Sequence, residues 1–245
     1  MMKVFLAGAT GAIGSRLVQL LRGSKYKAFG TTRDERKARW LQDEDVEPIV
    51  IDVFDREGLA QKVSEVRPDV VISQLTDLPK QLEGGLTDED RRRNARMRSE
   101  GVTNLVDAAL QAGVRRIVAQ SYLPIYAPAS RPHLETDPPD ETGPSAISVA
   151  GVLAMEKVLT HACAIILRCG DLYGPGTWKE TSGGAGFVHV DAAAWAAFLA
   201  IERGAPGIYN IADDDGYASI EKASRELGWS PDFRLSSIVR SAVPS

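Results

Sequence analysis

Lys3-Val4-Phe5-Leu6-Ala7-Gly8-Ala9-Thr10-Gly11-Ala12-Ile13-Gly14 runs an apolar segment directly into three regularly spaced glycines. The segment reads as a buried strand, and Ile13, Leu17, Leu20 and Leu21 then recur as one face of a helix. A strand, a glycine turn and a helix in this order make an anion site. Gly8 permits the tight turn, Gly11 lets a pyrophosphate approach the backbone, and Gly14 lets the helix pack closely on the strand. The first helical N–H groups, around Thr10, Ala12 and Ile13, have no intrahelical acceptor and can face phosphate. The stretch predicts dinucleotide binding.

Outward from this motif, apolar strand-like runs alternate with helical patterns. Strands are expected at 26–32, 47–53, 70–74, 114–120 and 164–167, with helices at 34–42 and 55–66 and a long one ending near Gly113. Such alternation implies an α/β fold, a Rossmann-type doubly wound parallel sheet covered on both faces. From residue 171 the pieces shorten: a run at 187–190, a helix at 192–202, a run at 208–211 and a last helix at 220–227. The division expected is a dinucleotide-binding core over 1–170 and a small substrate-side region over 171–245, packed as one compact unit. The proline-rich, acidic loop 127–143 is expected at the surface, with His133 in it.

Composition narrows the function classes. With 245 residues, 44% hydrophobic and 25% charged, the chain has material for a substantial core. A net charge of −4 gives no electrostatic footprint for nucleic acid, and Arg91-Arg92-Arg93 after Asp88-Glu89-Asp90 reads as a solvated helix start. Two cysteines make no disulfide framework, and Cys163 is expected in a buried strand. His133, His161 and His189 are scattered, which argues against a metal site. No apolar stretch reaches membrane-span length, and the N-terminal apolar residues belong to the first strand. These features fit a soluble, cytoplasmic protein acting on a small molecule.

Cofactor choice is read at the end of the second strand. Thr32, Arg33 and Lys37 suit a 2′-phosphate, which points to NADP, with NAD the alternative because Asp34 lies close. Arg33 and Lys37 also read as groups that solvate a helix start. Asp52, after the third strand, either reaches the adenine amine or caps a turn. Val53, Gln74 and Leu75, at the ends of strands three and four, complete the expected cofactor set.

Later segments extend the pattern: Glu100-Gly101-Val102-Thr103-Asn104-Leu105-Val106, Leu167-Arg168-Cys169-Gly170-Asp171-Leu172-Tyr173-Gly174-Pro175-Gly176, Phe187-Val188-His189-Val190-Asp191 and Gly207-Ile208-Tyr209-Asn210-Ile211. With the glycine triplet, these make the chain resemble the extended short-chain dehydrogenase/reductase family, the NAD(P)-dependent epimerases and dehydratases. The resemblance implies a Tyr-x-x-x-Lys pair on the helix after strand five. It also implies a Ser or Thr at that strand's end, and in this family the long helix around 96–111 often pairs two chains, so a homodimer is expected.

Aligned on Glu156, however, Ser148 stands at the tyrosine position and Val152 at the lysine position. The usual proton relay is missing. Lys157 lies too far along to replace it and reads as a solvated lysine. Anchoring on Tyr126 puts Tyr122 at the Ser/Thr position, so Tyr122 is the candidate relocated acid and Ser121 the candidate orienting hydroxyl. Alternatively, Tyr122 is an amphipathic wall of the pocket. Tyr126, Ser148, Tyr173 and Trp178 are expected to shape the substrate pocket. His189 and Asp191 read either as ligand contacts or as the turn and cap of the next helix. Only about ten residues separate Gly176 from Phe187, too few for a large lid. The first functional reading is an NADP-dependent oxidoreductase acting on a small carbonyl or related compound. A silent dinucleotide sensor and an epimerase or isomerase are the alternatives.

Overall fold

The computed structural model of the chain describes residues 1–82, 84–143 and 145–235, so the last ten positions of the expected substrate-side region lie outside the described residues. Seven parallel strands form one sheet: β1 (Met2–Ala7), β2 (Tyr26–Thr32), β3 (Glu47–Val50), β4 (Val70–Ser73), β5 (Arg116–Tyr122), β6 (Ile165–Cys169) and β9 (Gly207–Ile211). Their order is β3-β2-β1-β4-β5-β6-β9, with Val4 level with Ala28 on one side and Val70 on the other. Val4, Phe5, Leu6 and Ala7 are all fully buried because helices cover both faces of this central strand. A second, two-stranded sheet pairs β7 (Asp171–Tyr173) with β8 (Phe187–His189).

One face carries α1 (Ala12–Leu21), α2 (Glu35–Asp43), α7 (Val190–Leu199) and α8 (Glu221–Leu227), packed on Val4, Leu6, Val118 and Leu167. The other carries α3 (Arg56–Val66), α5 (Val102–Gln111) and α6 (Ala146–His161), packed on Phe5, Ala7, Ala119 and Ile166. The doubly wound sheet expected from the strand–helix alternation is the one observed. Within residues 171–235, β9 pairs with β6 and α7 packs on α1, so these two elements extend the main layers.

The helix before Gly113 is not continuous. It consists of α4 (Asp88–Arg96), a π-helical turn (Met97–Gly101) and α5. Gly101 allows this turn to press inward, since a Cβ there would lie 2.9 Å from Met97 Sδ and 3.2 Å from Val53 Cγ2. At the start of α4, Thr87 and Asp90 form a capping box, and Arg91 and Arg93 pair with Asp88 and Asp90. The basic run is the solvated helix start expected of it. Where α4 meets α6, a Cβ on Gly151 would fall 2.7 Å from Ala95 Cα, so only glycine permits this approach.

Two expectations require correction. Cys163 is exposed and sits in the turn after α6 with φ of 51°, because Ala164 N–H closes back onto Leu159 O before β6 begins. A left-handed residue at this point is normally glycine. Cys163→Gly is therefore expected to stabilise the chain by about 0.5–1 kcal/mol, raising Tm by about 2 °C in a thermal melt. His133 is buried rather than at the surface, at 4% exposure. Its ring stacks on Tyr126 at 4.9 Å, and its Nδ1 lies 3.2 Å from Asp137 Oδ2.

Candidate functional site

The cleft at the carboxyl edge of the sheet begins with the glycine turn. Gly8 has φ of +81°, and a Cβ on it would lie 2.6 Å from Gln74 O. A Cβ on Gly14 would sit 2.1 Å from Gly8 O, so Gly14 is what lets α1 approach the turn. Gly11 differs: its φ of −80° suits any residue, and its Cβ would meet only Gly8 O, at 3.5 Å. The space over Gly11 is open. Gly11 caps α1 with no side-chain acceptor and no acidic residue follows in the first turn, so Ala12 and Ile13 present a positive helix end. This arrangement fits a pyrophosphate. Thr31 Oγ1, accepting from Gly8 N–H at 3.2 Å, ties the turn to β2.

Farther along the edge, Arg33 Nη1 lies 3.9 Å from Asp52 Oδ2, with both side chains about half exposed. Lys37 is half-buried one turn along. Thr32 Oγ1 accepts from Asp34 N–H, and Asp34 caps α2 by accepting from Arg36 N–H, a bond that holds its carboxyl below the usual range. Asp52 accepts from Phe54 N–H, so it does cap a turn, while its other oxygen faces Arg33. Val53 is buried, its carbonyl held by Asn104 Nδ2. Gln74, buried beside Gly8, leaves its Oε1 without a hydrogen-bond partner among the described residues, and Leu75 follows half-buried.

The other end of the cleft needs several corrections. Ser121 is fully buried and donates to Glu156 Oε1 at 2.6 Å, because strand alternation turns it inward. It does not face the edge as an orienting hydroxyl. Tyr126 is likewise inside: its hydroxyl donates to Asn210 Oδ1 and accepts from Arg168 Nη1, making it part of the core rather than a pocket wall. Arg168 in turn grips Glu156 through two bonds of 2.9 and 2.7 Å. This buried cluster locks β5, β6, β9 and α6 together. His189 caps α7 by accepting from Asp191 N–H, and Asp191 pairs with Arg16, so both hold structure.

Tyr122 does reach the edge. Its hydroxyl donates to Asp171 Oδ1 at 3.1 Å, and burial together with that carboxylate pushes its pKa well above a free phenol's. Burial also raises Asp171, opposed by the Tyr122 bond and by Lys179. Val152 is fully buried and packs with Ile125 and Val149 in the cluster that Tyr122 covers. Ser148 is half-buried at the start of α6. Tyr173 instead edges onto His189 and lines a cavity of about 560 Å³ with Asp213, Trp229 and Arg234. Trp178 donates to Pro79 O at 3.0 Å, joining the loop after β7 to the loop after β4. Arg98, in the π-helical turn, lies with its guanidinium 5.4 Å from the Tyr122 ring centre. Nothing in its sequence setting distinguished it from a solvated helix arginine.

Known proteins bear on this geometry. A 3-diazoavenalumate denitrifying reductase from a Streptomyces species is 36% identical over 239 residues, spanning 87% of this chain and 77% of its own. The structure resembles a UDP-glucose 4-epimerase of Thermotoga maritima (TM-score 0.77, 19% identity, 95% and 94% of the two chains). It also resembles a Bacillus cereus UDP-glucuronic acid 4-epimerase bound to NAD (TM-score 0.74, 19% identity, 99% and 97%). These structural likenesses show a shared fold. The sequence pattern of the NAD dependent epimerase/dehydratase family matches residues 4–186, and by that match and the reductase relative the chain belongs to this family.

Proposed function

We propose that this protein is an NADP-preferring reductase that strips dinitrogen from a small aryl diazonium compound. The observation that carries the reading is a mismatch between the two ends of one cleft. The phosphate cradle at Gly8, Gly11 and Gly14 is complete, yet the proton-relay helix offers Ser148 and a buried Val152. Carbonyl reduction needs a proton on the nascent alkoxide. When bound, the reduced dinucleotide supplies a hydride; delivered to a diazonium compound, that hydride replaces nitrogen on carbon, the C–N bond breaks, N2 leaves and no proton is consumed. The reductase relative, whose activity is denitrifying, supports this choice. The chain's task is then to hold dinucleotide and substrate in register and to exclude water. Gly11, Ala12 and Ile13 would hold the pyrophosphate, Arg33 and Lys37 the 2′-phosphate, and Gln74 and Leu75 the middle of the dinucleotide.

Carbonyl reduction is the second reading, favoured by the Tyr122 hydroxyl at the edge. Tyr122→Phe separates the two. Reduction of an aryl diazonium should change less than threefold, whereas loss of a general acid should slow carbonyl reduction about 100-fold or more. Absorbance of NADPH reports both, and binding without turnover on either substrate would indicate the sensor instead.

The cofactor preference has its own test. Arg33→Ala is expected to weaken NADP binding about tenfold or more and NAD binding less than twofold, by calorimetry. Equal losses for the two would remove the 2′-phosphate role of Arg33.

A further inference from the structure

Arg98 is 6% exposed, and among the described residues no carboxylate or hydrogen-bond acceptor is paired with its guanidinium. Its guanidinium faces the Tyr122 ring, 5.4 Å away, and Glu156 attracts it through space without a hydrogen bond or ion pair. Among the described residues, each of the other strongly buried arginines has an acid: Arg168 has Glu156, and Arg16 has Asp191. A buried cation with no directly bonded acid is costly, and burial pushes the Arg98 pKa down to about 10 against the pull of Tyr122 and Glu156. Glu156, the acid that attracts it, is bonded to Arg168 and Ser121 instead. The π-helical turn is what brings Arg98 to this point, since it packs Met97 and Gly101 against Val53 and leaves α4 continuing toward α6.

We infer that Arg98 is the specificity-determining residue for a carboxylate-bearing substrate, pairing its guanidinium with the carboxylate of a planar, conjugated molecule laid against Tyr122. The inference rests on the reading of this edge as the substrate site, and it adds the substrate's charge and shape. A guanidinium offers a carboxylate two parallel bonds, and a phenol ring beside it offers a flat apolar surface. Substrates without a carboxylate would leave the cation unpaired and be rejected for that reason.

The test uses binding alone, so it does not depend on diazo chemistry. 4-Hydroxycinnamate and its methyl ester are titrated by calorimetry into the protein saturated with NADP+. The expected result is that the acid binds at least tenfold more tightly than the ester. Arg98→Met should erase that difference while leaving the NADP+ dissociation constant within twofold. Arg98→Lys, which keeps the charge but loses the planar fork, should retain part of the preference, and matching circular dichroism melts for both variants exclude misfolding. Equal binding of acid and ester by the wild type, or no binding of either, overturns the inference. So does a loss of NADP+ affinity in Arg98→Met, which would assign the guanidinium to the dinucleotide. In these cases turnover of a diazonium substrate would still stand or fall separately.

Discussion

Replacing Gly11 with valine should leave the protein folded and cost it the dinucleotide. The backbone at Gly11 has φ of −80°, allowed for any residue, and a Cβ meets nothing closer than Gly8 O at 3.5 Å. The fold should lose no more than about 1 kcal/mol, the difference between a glycine and an apolar N-cap. The valine methyls, however, occupy the space over the α1 amides. Two charge-assisted hydrogen bonds to pyrophosphate, each worth about 1.5–3 kcal/mol, would be lost. Dissociation constants for NADP(H) should rise by about 100-fold or more, measured by calorimetry or nicotinamide fluorescence. Gly14→Val makes the contrast: its Cβ would sit 2.1 Å from Gly8 O, so both the melt and the binding should fail. A Gly11→Val protein that binds normally would mean that phosphate does not sit on this helix end.

The second large effect is structural and lies under the site. Glu156 and Arg168 are 7% and 6% exposed and joined by two bonds, with Ser121 donating to the same carboxylate. Burial disfavours the Arg168 charge, but Glu156 more than restores it, leaving its pKa above that of a free arginine. Glu156→Ala strands that charge with only the Tyr126 hydroxyl and Glu135 carbonyl as partners. The expected loss is about 3–5 kcal/mol, or roughly 10 °C in Tm. Removing both ends in Glu156→Leu/Arg168→Met should recover most of it, because an apolar pair leaves no buried charge. If the single and double variants melt alike, the pair is not what holds β5, β6 and α6 together.

What could be read from the chain alone was what is encoded locally. The Gly8, Gly11 and Gly14 spacing and the alternation of strands with helices depend on neighbours in sequence, and both were expected and found. Arg33 also approaches Asp52 at the carboxyl edge beyond β2 and β3. The misplaced residues are those decided by partners far along the chain. Ser121 is claimed by Glu156, Tyr126 by Asn210 and Arg168, and His133 by Tyr217 and Asn210. No hydroxyl or imidazole advertises in its own neighbourhood which of these partners will claim it. The π-helical turn was hidden for the same reason. It depends on Gly101 closing against Val53, and with it went the placement of Arg98.

Whether this edge transfers hydride without a proton relay can be measured directly. An aryl diazonium is reduced with NADPH carrying deuterium at the transferring C4 position in ordinary water, and separately with unlabelled NADPH in D2O. The product should carry deuterium at the former nitrogen-bearing carbon only in the first case, in Tyr122→Phe as in the wild type. Deuterium arriving from D2O, or label transfer that stops when Tyr122 loses its hydroxyl, would contradict the account.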